Sequence, residues 1–331
     1  MTPNTVNSAE SPLSPMKGGL HVIFGADQNV IPGLHVAALS VLLNYTNKER
    51  TLHYHVFTDT LTAEDLSVLR KTLDGTRHPY VLETHRADAS MLREYPALRD
   101  SRAAVFRLLV PQVITAERFI YLDVDIVCYL SIHELWEVDL QGCPAAFVSE
   151  ATIQSSADSA LASLLGKGVD GPYLNSGVML VDRNAWQSQQ VTERCVEYLS
   201  HGPAMFRDQS ALNYVLRGSW HQLETRFNYI ANWRSNWPSM ITVDSLKGKI
   251  LHFVDYPKPW DLFGEWIHPN YHLWRSVLNL TEMRHYHSLH RTVPQLPHAV
   301  ASWRSYKKAL KDRLLFEGYR RGLLKRVKGL P

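Results

Sequence analysis

Short apolar runs that end in polar or acidic residues alternate with segments of helical spacing from residue 20 to residue 254, and this alternation most constrains the fold. HVIFGAD (21–27), TLHYHVFTD (51–59), YVLETHR (80–86), RFIYLDVD (118–125), AAFVSE (145–150), YLNSGVMLVD (173–182) and KILHFV (249–254) read as strands. Between them, IPGLHVAALSVLLNY, LTAEDLSVLRKTL, RAAVFRLLVPQVI (102–114) and stretches near 184–200 and 206–217 read as helices. Thr62 with Asp65 supplies a capping-box pattern for the second of these. The expected fold class is α/β, a mostly parallel central sheet flanked by helices. Such sheets bind ligands beyond the carboxyl ends of their strands. Asp27, Asp123 with Asp125, Glu150 and His252 all fall at such ends.

A chain of 331 residues that is 45% hydrophobic can bury a large core. The expected organisation is a disordered Ser/Pro/Asn-rich tail over 1–19, a catalytic domain over 20–280, and a basic segment over 281–331 with a helical, membrane-associating character. The first nineteen residues hold no apolar run of signal-peptide length, and no later run reaches membrane-spanning length, so a cytoplasmic protein is expected. Cys128, Cys143 and Cys195 show neither paired CxxC spacing nor an even count, which argues against a disulfide framework or a structural zinc site. The net charge of +3 conceals an asymmetry: residues 301–331 carry ten Lys or Arg against Asp312 and Glu317, so that segment is +8 and the rest is −5. A nucleic-acid-binding domain would be basic across its folded body, so no nucleic-acid partner is expected. Basic residues interleaved with Trp303, Tyr306, Leu310, Leu314, Phe316 and Tyr319 suit a helix resting on an anionic membrane surface.

The chemistry is concentrated in a few motifs. FIYLDVDIV places Asp123 and Asp125 two residues apart after an apolar strand, where an extended backbone turns both to one side. Such a pair suits a hard divalent ion that also binds phosphate oxygens. Glu137 and Asp139 repeat the spacing without the preceding strand. The same Asp-Val-Asp also fits the nucleophile motif of haloacid-dehalogenase-type phosphatases, although about 120 residues and three strands precede it here. In HFVDYPKPW (252–260), Pro257 and Pro259 stiffen the loop that presents Lys258, six residues after His252. HYHSLH (285–290) has no neighbouring carboxylate or cysteine to complete a metal site, and His53 and His55 read as packing residues on a strand.

Taken in order, FGADQN, Arg107 in a helix before LDVD, LNSG (174–177), RDQ (207–209) and H-x5-K-P-W resemble family 8 glycosyltransferases, above all the bacterial enzymes that add galactose and glucose to lipopolysaccharide outer cores. The resemblance spans about residues 20–264. It implies a GT-A fold, Mn²⁺ (with Mg²⁺ as the alternative), a UDP-hexose donor, a glycan or lipid-linked acceptor, and transfer with retention; the basic C-terminal segment adds the inner face of the cytoplasmic membrane as the expected place of action. By matching position, Asp123, Asp125 and His252 are the metal ligands. Asp27 reads the uracil edge, Asn29 and Val124 meet the ribose, and Arg107 and Asp208 contact and orient the donor. Asn175, Ser176, Gly177 and Glu150 line the sugar region, Gln209 lies beneath the anomeric carbon, and Lys258 meets the diphosphate. The family pattern H-x-x-G-x-x-K-P-W has Asp255 at its glycine here. A carboxylate about 5 to 6 Å from the diphosphate would cost about 3 kcal/mol at an effective dielectric near 20. Asp255 therefore either points away, serves the acceptor, or weakens donor binding, and the last case leaves a catalytically weak sugar-nucleotide-binding protein as an alternative. A self-glucosylating initiator is a further alternative, and the aromatic residues Trp233, Trp237, Trp260, Trp266 and Trp274 read mostly as core.

Overall fold

The computed structural model describes residues 18–47, 49–76, 78–86, 105–230, 241–254, 256–268, 270–291, 300, 303–311 and 314. Residues 1–17 of the tail expected over 1–19, Asp255, Trp233, Trp237 and most of the basic C-terminal segment lie outside the described residues. Two sheets organise the rest. The larger has seven strands: β1 (Leu20–Gly25), β2 (Leu52–Thr58), β3 (Tyr80–Arg86), β4 (Arg118–Leu122), β6 (Ala145–Thr152), β7 (Pro172–Asp182) and β8 (His221–Gln222), in the order β3-β2-β1-β4-β7-β6-β8. Every strand but β7 points the same way; β7 pairs antiparallel with both β4 and β6. The smaller sheet joins β5 (Ile126–Cys128), β10 (Ile250–His252) and β9 (Tyr229–Ile230), with β10 in the middle.

Local sequence accounts for these elements. The central strands are buried on both faces, and β1 and β4 accordingly read as nearly unbroken apolar runs. Helix α1 (Ile31–Leu43) is buried along almost its whole length, starts on Pro32 in its first turn and carries no charged side chain, as a helix enclosed on all sides requires. Helix α2 (Ala63–Asp74) is amphipathic and begins with the expected capping box: Asp65 N–H donates to Thr62 Oγ1 at 3.2 Å, and Thr62 N–H to Asp65 Oδ2 at 2.8 Å. Both helices pack on the sheet face that displays Val22, Phe24, Tyr54 and Val56. The opposite face, with Ile23, Phe57, Tyr121 and Met179, is covered by α3 (Phe106–Val113) and by a helical layer from later in the chain.

Two stretches depart from the sequence expectation. The helix expected over 184–200 is two helices, α4 (Arg183–Ser188) and α5 (Val191–His201), because Gln190 adopts a left-handed conformation with φ +52°. That turn lets Trp186 Nε1–H reach Thr192 Oγ1 at 3.0 Å while Trp186, Val191 and Cys195 enter the same core. The strand expected over 118–125 stops at Leu122, and Asp123, Val124 and Asp125 form a turn that carries the chain from the large sheet into β5 of the small one.

Candidate active site

That turn places the acid pair where the two sheets meet. Asp123 N–H donates to Gly177 O on β7 at 2.8 Å, and Phe253 N–H donates to Asp125 O at 2.8 Å, so one acid is pinned to each sheet. In the small sheet His252 lies opposite Ile126, the residue after Asp125. The register therefore brings the imidazole to the carboxylates without depending on a flexible loop. His252 Nε2 lies 3.0 Å from Asp125 Oδ1 and 4.0 Å from Asp123 Oδ2. The two acids are not turned to one side by an extended strand, as the spacing suggests; the tight turn converges them instead.

A chain of hydrogen bonds fixes the histidine tautomer. Gly177 N–H donates to Asn175 Oδ1 at 2.9 Å, which makes that oxygen an acceptor. Asn228 Nδ2 donates to the same oxygen at 2.8 Å, so Asn228 Oδ1 faces His252 Nδ1, 2.9 Å away, and takes its proton. The lone pair of Nε2 is thereby turned toward the acids, and Asp125 Oδ1 is buried and receives no hydrogen bond among the described residues. Lone pairs facing one another in a buried pocket fit a cation. Two carboxylates and one imidazole, with ligand atoms all within 4.8 Å of one another, suit a divalent metal ion.

Fixed cations already balance the acids. Lys258 Nζ donates to Asp125 Oδ2 at 2.5 Å and to Phe253 O at 2.6 Å, and its backbone N–H is tied to Asp261 Oδ2 at 2.8 Å. Burial alone would raise Asp125, but the Lys258 ammonium holds it well below the usual carboxylate range. Arg107 is buried, with its guanidinium 2.7 Å from Asp123 Oδ1 and 3.0 Å from Asp208 Oδ2, and it also donates to Ser176 O. Burial raises Asp123 to about 6 despite Arg107, and it raises Asp208 as well. Arg107 and Asp208 thus form a buried brace beneath the acid pair.

The remaining sequence candidates gather around this centre. Asp27 is buried just beyond β1 and accepts from Asn29 N–H at 2.8 Å, while Asn29 itself is exposed. Val124 is nearly buried, and its carbonyl packs over Gly33, where a Cβ would come within 2.8 Å of that oxygen and 2.6 Å of the Trp260 ring. Gly177 matters for the same reason, since a Cβ there would lie 2.2 Å from His252 Cε1. Gln209 sits in the first turn of α6 (Asp208–Val215), its Oε1 accepting from Ser176 N–H at 3.1 Å and its Nε2 donating to Tyr173 OH at 3.3 Å. Arg207, just before it, has φ +49° and ψ −112°, a strained conformation for a residue with a side chain. Glu150 lies on β6, and its side chain, like Asp255, is outside the description.

Sequence reasoning missed two supporting residues. Asp158, fully buried, accepts from Tyr173 OH at 3.1 Å and from Ser210 Oγ at 2.5 Å, and so anchors the Gln209 amide through the tyrosine. Its N-cap position before α-helical Ser159–Leu165 was readable; its reach to Tyr173 and Ser210 was not. Asn228 belongs to no motif and meets His252 only because the strand that follows it pairs with β10.

The family model for Glycosyl transferase family 8 matches residues 21–263. The chain is 27% identical over 272 residues to a lipopolysaccharide 1,2-glucosyltransferase of Escherichia coli (strain K12), covering 78% of this chain and 77% of that protein. It is 26% identical over 256 residues to a lipopolysaccharide 1,3-galactosyltransferase of Salmonella typhimurium, covering 74% of each. Among solved structures, the galactosyltransferase LgtC in complex with donor and acceptor sugar analogs superimposes with a TM-score of 0.65 at 18% identity, covering 80% of this chain and 96% of that one.

Proposed function

Because the chain belongs to glycosyltransferase family 8 and has the GT-A fold, we propose that it transfers a hexose, with retention, from a UDP-sugar to a hydroxyl of a lipid-linked or lipopolysaccharide-type glycan. The observation that carries this reading is the meeting of Asp123, Asp125 and His252 with Lys258 in one buried pocket. A divalent cation held by the first three, Mn²⁺ in this proposal, would neutralise the diphosphate and stabilise the charge that grows on it as the glycosidic bond breaks. Lys258 supplies a second, pre-positioned positive charge for the same leaving group, and its buried, doubly anchored ammonium needs little reorganisation. Arg107 and Asp208 hold Asp123 and Ser176 in place. Asp27 presents a carboxylate suited to the uracil N–H, and Asn29 and Val124 stand where the ribose would lie.

Gln209 is the polar group fixed at both ends beside Ser176. An amide is a poor nucleophile, so in this proposal the acceptor hydroxyl attacks on the face the diphosphate leaves, and Gln209 stabilises the electron-poor anomeric centre. Family membership displaces the phosphatase reading of Asp123.

The proposed site of action is the cytoplasmic face of the membrane. In the helical stretch 303–311, Tyr306 and Ala309 turn inward, while Trp303 and Leu310 are exposed beside Arg304, Lys307, Lys308 and Lys311. That mixture of apolar and basic groups suits anionic lipid.

A panel of UDP-sugars assayed for Mn²⁺-dependent UDP release tests the function directly. One donor should support release, and Asp125→Ala should abolish it while leaving the circular dichroism spectrum unchanged. Undiminished turnover in Asp125→Ala would refute the site. UDP binding without any release would favour the catalytically weak binder, and hexose mass on the protein's own tyrosines would favour a self-glucosylating initiator.

A further inference from the structure

At the β3 edge of the large sheet, imidazoles stand in a row on the face opposite α1 and α2. The registers pair His21 with His53, His55 with Glu83, and Phe57 with His85, so these side chains leave the sheet on one side. His21 Nδ1 lies 2.9 Å from His55 Nε2, and His55 Nδ1 lies 2.9 Å from His85 Nε2. Glu83 Oε2 completes a triangle, 3.6 Å from His55 Nδ1 and 4.0 Å from His85 Nε2. A tetrahedral zinc ion with bonds of about 2.0 to 2.1 Å sets its donors about 3.3 Å apart. The three observed separations bracket that value.

We propose that His55, His85 and Glu83 bind a divalent transition metal of the zinc class, at a site separate from the acid pair and with its remaining position open to water. Two imidazole nitrogens and one carboxylate favour zinc, cobalt or nickel over magnesium or calcium, which take oxygen donors. His55 is buried, whereas the Glu83 side chain is 49% exposed, so solvent reaches the metal from the carboxylate side. When the metal takes the Nδ1 lone pair of His55, the ring proton resides on Nε2 and is donated to His21 Nδ1. That gives His55 the outward hydrogen-bond partner that ligating histidines characteristically have. The bound ion would fasten the edge strand β3 to β2.

The test is a zinc titration of the tag-free full-length chain in excess Mg²⁺, read by competition with a chromophoric chelator. The unmodified chain should hold one more equivalent of tightly bound Zn²⁺ than either His85→Ala or Glu83→Gln, whatever the Asp123–Asp125–His252 site takes up. His21→Phe should weaken the extra equivalent about 10- to 100-fold, through loss of the partner to His55. Glu83→Gln alters a half-exposed side chain and keeps the experiment decisive where His85→Ala fails to fold. Equal zinc stoichiometry in the unmodified chain and Glu83→Gln would overturn the proposal and leave the row as a metal-free chain of hydrogen-bonded neutral imidazoles.

Discussion

A methyl group at position 177 would occupy space that the His252 ring now fills, 2.2 Å from Cε1 and 3.0 Å from Asp123 Oδ2. Gly177→Ala should therefore push the proposed metal ligand His252 out of place and lower turnover by about 100-fold, the scale expected for roughly 1 Å of misplacement, with UDP release as the readout. Asn228→Ala removes the acceptor that fixes Nδ1–H on His252. Its Mn²⁺ affinity, measured by electron paramagnetic resonance titration, should fall about 10- to 100-fold while metal-free UDP binding is retained. Asp123, Asp125, His252 and Lys258 were legible because each sits in a dense local motif at a strand end. Asn228 and Asp158 were not, since each acts through contacts across 24 or 52 positions of sequence that only the folded register creates. Local spacing also misjudged how the acids converge, because the turn at 123–125 arises from the change of sheet and not from the strand pattern.

At the scale of elements, α1 shows what an enclosed helix costs in acid. His35 on α1 is 1% exposed and paired with Thr72 on α2 at 2.8 Å, and burial lowers its pKa from 6.5 to about 4, against a weaker opposing effect of Asp65. Below pH 6.5 the unfolded chain takes up a proton that the folded chain refuses until about pH 4, so stability falls as pH drops through that window and levels off beneath it. The loss attributable to this ring is on the order of 3 kcal/mol, and His35→Gln should flatten the decline in urea midpoint between pH 7 and pH 4. Most strands and helices were readable from apolar runs, helical spacing and the Thr62–Asp65 cap. The break at Gln190 was not, because the packing of Trp186 against Thr192 sets it, and neither residue signals a helix end.

For the whole molecule, the separation of charge into a −5 body and a +8 C-terminal segment predicts association with vesicles containing anionic lipid. Flotation with such vesicles should recover the protein at low salt, recovery should fade as salt is raised, and neutral vesicles should recover little; binding indifferent to salt would count against the basic segment. The mostly parallel architecture was legible because βαβ alternation leaves few topologies, whereas the reversed direction of β7 was not, since its apolar run reads the same either way. That reversal has a consequence for how such a protein can diversify. The excursion over 153–171 leaves from the end of β6 and returns at the start of β7, both on the rim where the acid turn lies. Doubling the length of such a detour costs only about 0.6 kcal/mol of closure entropy. The exposed part of this stretch, 167–170, lies beyond the buried Asp158 and Leu161 and can therefore be lengthened to suit a new recipient while the charge-handling centre beneath it stays as it is.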